Sequence, residues 1–366
     1  MSDAERYLQQ AIAAFEYPAP VTAVHAISSG HVNSTFCIDT ECGCRFVLQR
    51  INSVAFHHPD EVMDNALRIT EHLRSEIRKQ GGNCEREALH FMSTRDGKPF
   101  FTDDEGEVWR IYPFVDHTLC LQAAETPELF AAAARAFGKF QRMLSDFPAD
   151  TLYETIPRFH DTPDRLRKLK EAQAADRVGR AAEVQEELTF ALRREKDCSV
   201  AMDALREGKL PLRVTHNDTK LNNVLLDENS GEGVCVIDLD TVMPGLSIND
   251  FGDAIRFGAN HCAEDEQDLT KVNFDLDLFE VYTRGFLQGT GDSLTENELA
   301  FLPWGAKLMT LECGMRFLTD YLEGDVYFHT SYPTQNLDRC RTQFKLVADM
   351  EQQWAAMEEI VRRCRS

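Results

Sequence analysis

The sequence predicts an α+β fold of two lobes: a small N-terminal antiparallel sheet with one main helix, then a larger and mostly helical half. Three observations carry this. Residues 21–52 alternate apolar and polar positions with a period of two, broken by glycine-bearing turns. From residue 126 onward, apolar positions recur at helical spacing. The second half holds only two strong strand signals, VLLD at 224–227 and VCVID at 234–238, separated by the turn ENSGEG.

Taken in order, residues 1–15 read as an amphipathic polar helix, without the charged and then apolar pattern of a signal peptide. VTAVHAI, TFCID and RFVLQRIN follow as three strands, parted by SSGHVNS and TECGC. Residues 59–80 switch to helical periodicity, with acids in the first turn and bases in the last, as the helix dipole favours. HFMST and VWRIYPFV are the next strand candidates, so a nucleotide-binding lobe is expected over 1–113 and a catalytic, acceptor-binding lobe over 114–366. A helix is expected over 126–146, and charged helices over 163–209, the first announced by Thr162 as cap and Pro163 as first helical residue. Thr295 and Glu298 form a capping box before a helix reaching Leu322. The join is only a few residues long, so the lobes should touch and enclose a cleft.

Among 366 residues, 39 basic against 61 acidic ones give a net charge of −22, which argues against a nucleic-acid or anionic-membrane surface. It does not exclude ATP, which is gripped by local N–H groups, a few cations and metal ions. Eleven cysteines without a CxxC pair point to reduced thiols rather than a zinc site or disulfide framework. No apolar run approaches the roughly eighteen residues of a membrane helix. A cytoplasmic protein acting on a small molecule is the expectation.

The chemistry concentrates in VTHNDTKLNNVLLDENSGEGVCVIDLDTVMPG. His216, Asp218, Lys220 and Asn223 stand as His-x-Asp-x-Lys-x-x-Asn, and Asp238 ends the second strand twenty positions after Asp218. Phosphoryl transfer from ATP needs a carboxylate to accept the acceptor hydroxyl's proton, and ligands for the metal that bridges the phosphates. Asp218 suits the first task. Asn223, with a neutral amide oxygen, and Asp238, with a hard carboxylate, suit Mg2+. Lys220 is placed to neutralise the transferring group, and Asp240 is expected to add a second or water-mediated metal contact. Either aspartate alone would be an ordinary turn or cap residue; the spacing of all five is what points to catalysis.

This segment resembles the catalytic core of the aminoglycoside phosphotransferase-like kinases, which share the protein-kinase fold. HNDTKLNN with IDLDTVMPG, GHVNSTF, FVLQRIN, FHDTP, RFLTDYLEGDVYF and YPTQNLDR are similar, further, to N-acetylhexosamine 1-kinases. That resemblance implies ATP and Mg2+ as cofactors and an N-acetylhexosamine as acceptor. It implies that Arg316 and Tyr327 contact the sugar, that His31 reaches it from the first turn, and that Lys220 lies near the reacting hydroxyl. Trp354 is either an apolar wall for the sugar or a packing residue. Read from the residues alone, Glu312 and Arg316 form an i to i+4 ion pair.

On the nucleotide side only Gly30 sits in the first turn, which can still close over phosphates through backbone N–H groups although a GxGxxG loop is absent. Val47, Leu48, Gln49 and Arg50 overlay Val-Ala-Ile-Lys with Arg50 in the lysine place; a shift of one would put Gln49 there and turn Arg50 to the other face. A carboxylate partner would be Glu61, Asp64 or Glu71. The adenine-binding hinge is expected in Pro113, Phe114 and Val115. Asp250, Phe251 and Gly252 spell the magnesium motif of protein kinases, but no apolar strand leads into them and Asp238 already fills that role. Ser247 and Asp250 read instead as helix-start signals, and the resemblance implies that Asp253, like His216, serves to hold the catalytic loop. Kinases of choline, homoserine or aminoglycosides, and a catalytically silent binding module, are the alternatives.

Overall fold

The computed structural model describes residues 3–27, 33–123 and 125–365. Strands β1 (Val21–Ile27), β2 (Ser34–Thr40), β3 (Arg45–Arg50), β4 (Phe101–Thr102) and β5 (Val108–Pro113) form one antiparallel sheet in the order β1-β2-β3-β5-β4. Alternation decides what each face buries. Phe46 and Leu48 share one face with Trp109 and Ile111 and pack under Tyr7, Ala11 and Phe15 of the N-terminal segment. Val47, Val108 and Tyr112 point the other way, onto Val62, Met63, Ala66, Ile69 and Leu73 of the helix Pro59–Lys79. Leu48 and Ile111 are wholly buried, each burial stabilising the lobe by about 1.5–3 kcal/mol.

The expected strand HFMST does not form. Thr94 makes one isolated bridge to Phe15, and its N–H and carbonyl are spent in a turn, on Lys98 (2.8 Å) and Gly97 (2.9 Å). The strand on the edge of the sheet comes after that turn, at β4.

Beyond β5 the chain adds five short strands: β6 (Thr118–Cys120), β7 (Arg213–Thr215), β8 (Val224–Asp227), β9 (Gly233–Val236) and β10 (Met243–Gly245). They make a three-stranded sheet, β6-β8-β9, and the pair β7-β10. Helices surround them. Thr126 caps Pro127–Met143 through the Leu129 N–H. Asp161, not Thr162, caps Thr162–Ala175, because the Thr162 hydroxyl donates instead to Glu312 (3.0 Å). The capping box of Thr295 and Glu298 is present and opens the long helix Glu296–Glu323.

The helix Ser247–Gly258 runs through the centre of this half and is almost entirely buried. Ser247 is its first residue rather than its cap, and its hydroxyl donates to Glu298 (2.8 Å). Gly252 lets it cross Glu296–Glu323 closely, since a Cβ there would lie 2.2 Å from the Gly305 carbonyl oxygen. Among the described residues all eleven cysteines are free, and no helix is long and apolar enough to cross a membrane.

Candidate active site

The loop 216–220 leaves β7 and is held from beneath by the central helix. The Asp250 carboxylate accepts the N–H groups of His216 (3.0 Å) and Asn217 (2.8 Å), and Gln141 donates to it from a third element (2.8 Å). Asp253 accepts the Thr219 N–H at 2.9 Å, and Arg256 steadies Asp253 at 3.0 Å. Three loop N–H groups that would otherwise be buried without partners are thus satisfied by two carboxylates one helical turn apart. Asp253 thus bonds the loop at Thr219, and Asp250, the first letter of the misleading motif, bonds it at His216 and Asn217.

His216 is fully buried and ties two strands together. Its Nε2 donates to the Ile237 carbonyl (2.9 Å) while its Nδ1 accepts the Asp218 N–H (3.3 Å), the pattern of a neutral imidazole. Asn217 turns the chain at φ +65, and Asp238 does the same at φ +58. Asparagine and aspartate tolerate this left-handed region better than other side chains, and here it bends the backbone at both loops of the site.

Asp218, Lys220 and Asn223 come together. Lys220 Nζ lies 2.8 Å from Asp218 Oδ1, and the Asn223 amide donates to Asp218 Oδ2 (3.0 Å) and to its carbonyl (2.8 Å). Burial works to raise the Asp218 pKa, but Lys220 outweighs it and holds the carboxyl below the usual aspartate value. Burial works against the Lys220 charge too, yet Asp218 and Asp253 keep its pKa above that of ordinary lysine. Asp218 therefore stays ionised, as a proton acceptor must. The Ile237 N–H donates to the Asn223 carbonyl (2.9 Å), which brings Asp238 to the Asn223 end of the β8-β9 hairpin. Burial, together with the charges of Asp240 and Asp218, pushes Asp238 up to about 7. No donor among the described residues reaches its carboxylate. Such crowded hard oxygens fit a divalent cation.

Asp240 is engaged elsewhere. It is 2% exposed, and its two oxygens take Arg110 of β5, in an ion pair, and the Asn33 amide at 2.6 Å. The second or water-mediated metal contact expected of Asp240 would share these oxygens with Arg110 and Asn33. Arg110 is held in turn by Gln49, through Nε (3.0 Å) and Nη2 (2.8 Å). Gln49 and Arg110 are register partners on the face toward Asp240. Arg50 falls on the opposite face, pairs with Trp109 in register, lies over its ring and donates to Ser34 (3.3 Å). The cleft side of β3 therefore carries Gln49, and the cation there comes from the neighbouring strand. The named acids of Pro59–Lys79 do not pair with it; Asp64 bonds Arg68 within that helix. The signal for Arg110 was a lone arginine amid the apolar VWRIYP.

At the hinge, Pro113 pairs with Phe46, and the Phe114 N–H is already spent on Arg45 (2.9 Å). Val115 lies one residue further on, and its carbonyl accepts from Thr118 (2.8 Å). Gly30 and His31 lie outside the described residues.

The helix Glu296–Glu323 brings a second cluster up to the loop. Glu312, 1% exposed, accepts from His160 Nδ1 (2.9 Å) and Thr162, while His160 Nε2 reaches the Asn217 carbonyl (3.3 Å). Glu312 therefore does not pair with Arg316. The Arg316 guanidinium sits among the rings of Phe159 (5.4 Å), Phe328 (5.5 Å) and Tyr327 (5.9 Å). Tyr327 is 70% exposed on a loop organised by Asp320, which accepts the N–H groups of Val326, Tyr327 and Phe328 at 2.8–2.9 Å. Trp354 packs edge-on against Trp304 (4.9 Å) and belongs to the core rather than to this cluster.

A sequence profile of the phosphotransferase enzyme family matches residues 23–283. Among solved structures, the chain is similar to an aminoglycoside phosphotransferase from Alicyclobacillus acidocaldarius, at 14% identity and a TM-score of 0.64 over 97% of this chain and 96% of that one. It is also similar to an amicoumacin kinase solved with AMP-PNP and Ca2+, at 16% identity and 0.61 over 94% and 93%. A choline kinase from Cryptosporidium parvum matches at 14% identity and 0.57 over 97% of both chains. At such identities the likeness is one of fold: a sheet lobe followed by a mostly helical one.

Proposed function

The chain belongs to the phosphotransferase enzyme family, and from that premise we propose that it moves the terminal phosphoryl group of ATP onto the anomeric hydroxyl of an N-acetylhexosamine. The observation that carries the transfer is Asp218, ionised and fixed between Lys220 and Asn223 beside the carboxylate of Asp238. Asp218 accepts the proton of the acceptor hydroxyl; that oxygen bonds the γ-phosphorus as the bond to the departing ADP oxygen breaks. Lys220 offsets charge on the transferring group. Asp238 and the amide oxygen of Asn223 would hold Mg2+, which when bound neutralises the phosphate oxygens. Val115 is the nearest hinge residue whose N–H can serve adenine, given that Pro113 has none and Phe114 has used its own. Gly30 is assigned to the turn over the phosphates and His31 to the sugar.

Charge supports a neutral acceptor. Of the four acids near the Arg316 cluster, Glu312 is spent on His160 and Thr162, Asp320 on backbone N–H groups, and Asp325 on Arg180 and Asn336, while half-buried Glu323 has no such partner among the described residues. The group left facing the rings is a guanidinium, which suits sugar hydroxyls or an acetamido oxygen and repels choline or an aminoglycoside. Arg316 and Tyr327 are thus assigned to the sugar. A panel of N-acetylglucosamine, N-acetylgalactosamine, choline, homoserine and kanamycin, read by ADP release, tests this reading. Release with the hexosamines supports it; release with a cationic acceptor alone overturns the substrate assignment.

A further inference from the structure

Arg110 has no place in the sequence motif, yet it is among the largest fully buried side chains of the protein. It stands opposite Gln49, so a cation moved from β3 to β5 shifts by only one strand spacing, about 5 Å. All its named contacts are inward: Gln49 holds two of its nitrogens and Asp240 the third. Asp240 also takes the Asn33 amide, and Asn33 accepts the Asn52 N–H at 3.0 Å. Strands β3 and β5 and the residue just before β2 therefore converge on one carboxylate, two residues from Asp238. We infer that Arg110 takes over the task of the missing strand lysine, not by touching phosphate but as a positioning residue that latches the sheet lobe to Asp240 and so aligns the metal carboxylate Asp238 with Asp218. This rests on the phosphotransferase reading above.

The sign of the effect on metal binding separates this from a merely structural role. Without Arg110, an uncompensated Asp240 makes the site more negative and attracts Mg2+ more strongly, while the alignment needed for transfer is lost. Arg110→Gln should lower kcat at least tenfold, leave the KM of the acceptor unchanged, and bind Mg2+ with AMP-PNP in calorimetry as tightly as the unaltered protein or more so. The exchange variant, Gln49→Arg with Arg110→Gln, returns the cation to the facing register position and should recover kcat to within about threefold. Normal turnover in Arg110→Gln overturns the inference, as does a parallel loss of metal binding and turnover. If Arg110→Gln does not fold, the exchange variant decides: restored turnover supports the latch, and an inactive or unfolded exchange contradicts it. Failure of the unaltered protein to bind Mg2+ and AMP-PNP would instead defeat the phosphotransferase reading itself.

Discussion

Asp218 is the residue on which the proposed transfer turns, and its neighbours show why a single atom matters. Asp218→Asn keeps the shape and the Asn223 contact but removes the proton acceptor. Turnover should fall about a hundredfold or more, with sugar binding retained in calorimetry; near-normal turnover would remove Asp218 from its role. Asp250 works differently. Asp250→Ala would leave the buried His216 and Asn217 N–H groups without partners, at about 1–3 kcal/mol each, so urea unfolding should show a loss of roughly 2 kcal/mol or more. The cluster of Asp218, Lys220 and Asn223 was legible because the three lie on one short stretch, where spacing alone fixes their meeting. Arg110 was not, since a lone arginine amid VWRIYP is its local mark and its partner Asp240 lies 130 positions away. Arg50 was misplaced by a one-residue register choice, which in a strand exchanges the two faces.

At the level of elements, alternation in β1, β2, β3 and β5 and the capping box at Thr295 announced what formed, because those signals are local. The three-residue strands β6, β7 and β10 left no such trace; their pairing is dictated by the loops they brace. HFMST looked like a strand, but while its Met92 N–H reaches the Ile111 carbonyl of β5, the adjoining turn claims both backbone groups of Thr94. The letters Asp250, Phe251 and Gly252 acquire separate meanings in the central helix. Asp250 holds the loop, Phe251 packs among Phe279, Tyr282 and Phe286, and Gly252 admits Glu296–Glu323. Gly252→Ala should therefore lower stability by about 1–3 kcal/mol through overpacking, read as a lower melting temperature. An unchanged melting temperature would show that the two helices can part there without cost.

Across the whole molecule, a net charge of −22 makes acid titration a sensitive probe. Asp164 shows the direction: burial raises its pKa, but Arg167 and Lys168 prevail and hold it at about 2. A carboxylate depressed below its unfolded value stabilises the fold above the ordinary aspartate range and loses that contribution as pH falls through about 2. Asp164→Asn should lower the melting temperature at pH 7, and the gap from the unaltered protein should close by about pH 2. The bilobal plan was legible from the switch of periodicity near residue 113, whereas the latch between the lobes, Gln49 to Arg110 to Asp240, emerges only when the two halves are assembled. The proposed acceptor depends on the same assembly, since three of the four nearby acids that might have drawn a cation, Glu312, Asp320 and Asp325, are consumed inside the helical lobe. The most direct measurement is nuclear magnetic resonance of the product formed from carbon-13-labelled N-acetylglucosamine or N-acetylgalactosamine with ATP and Mg2+. Phosphorus coupling at C1 is the predicted result; coupling at another carbon, or no phosphorylated sugar at all, would contradict it.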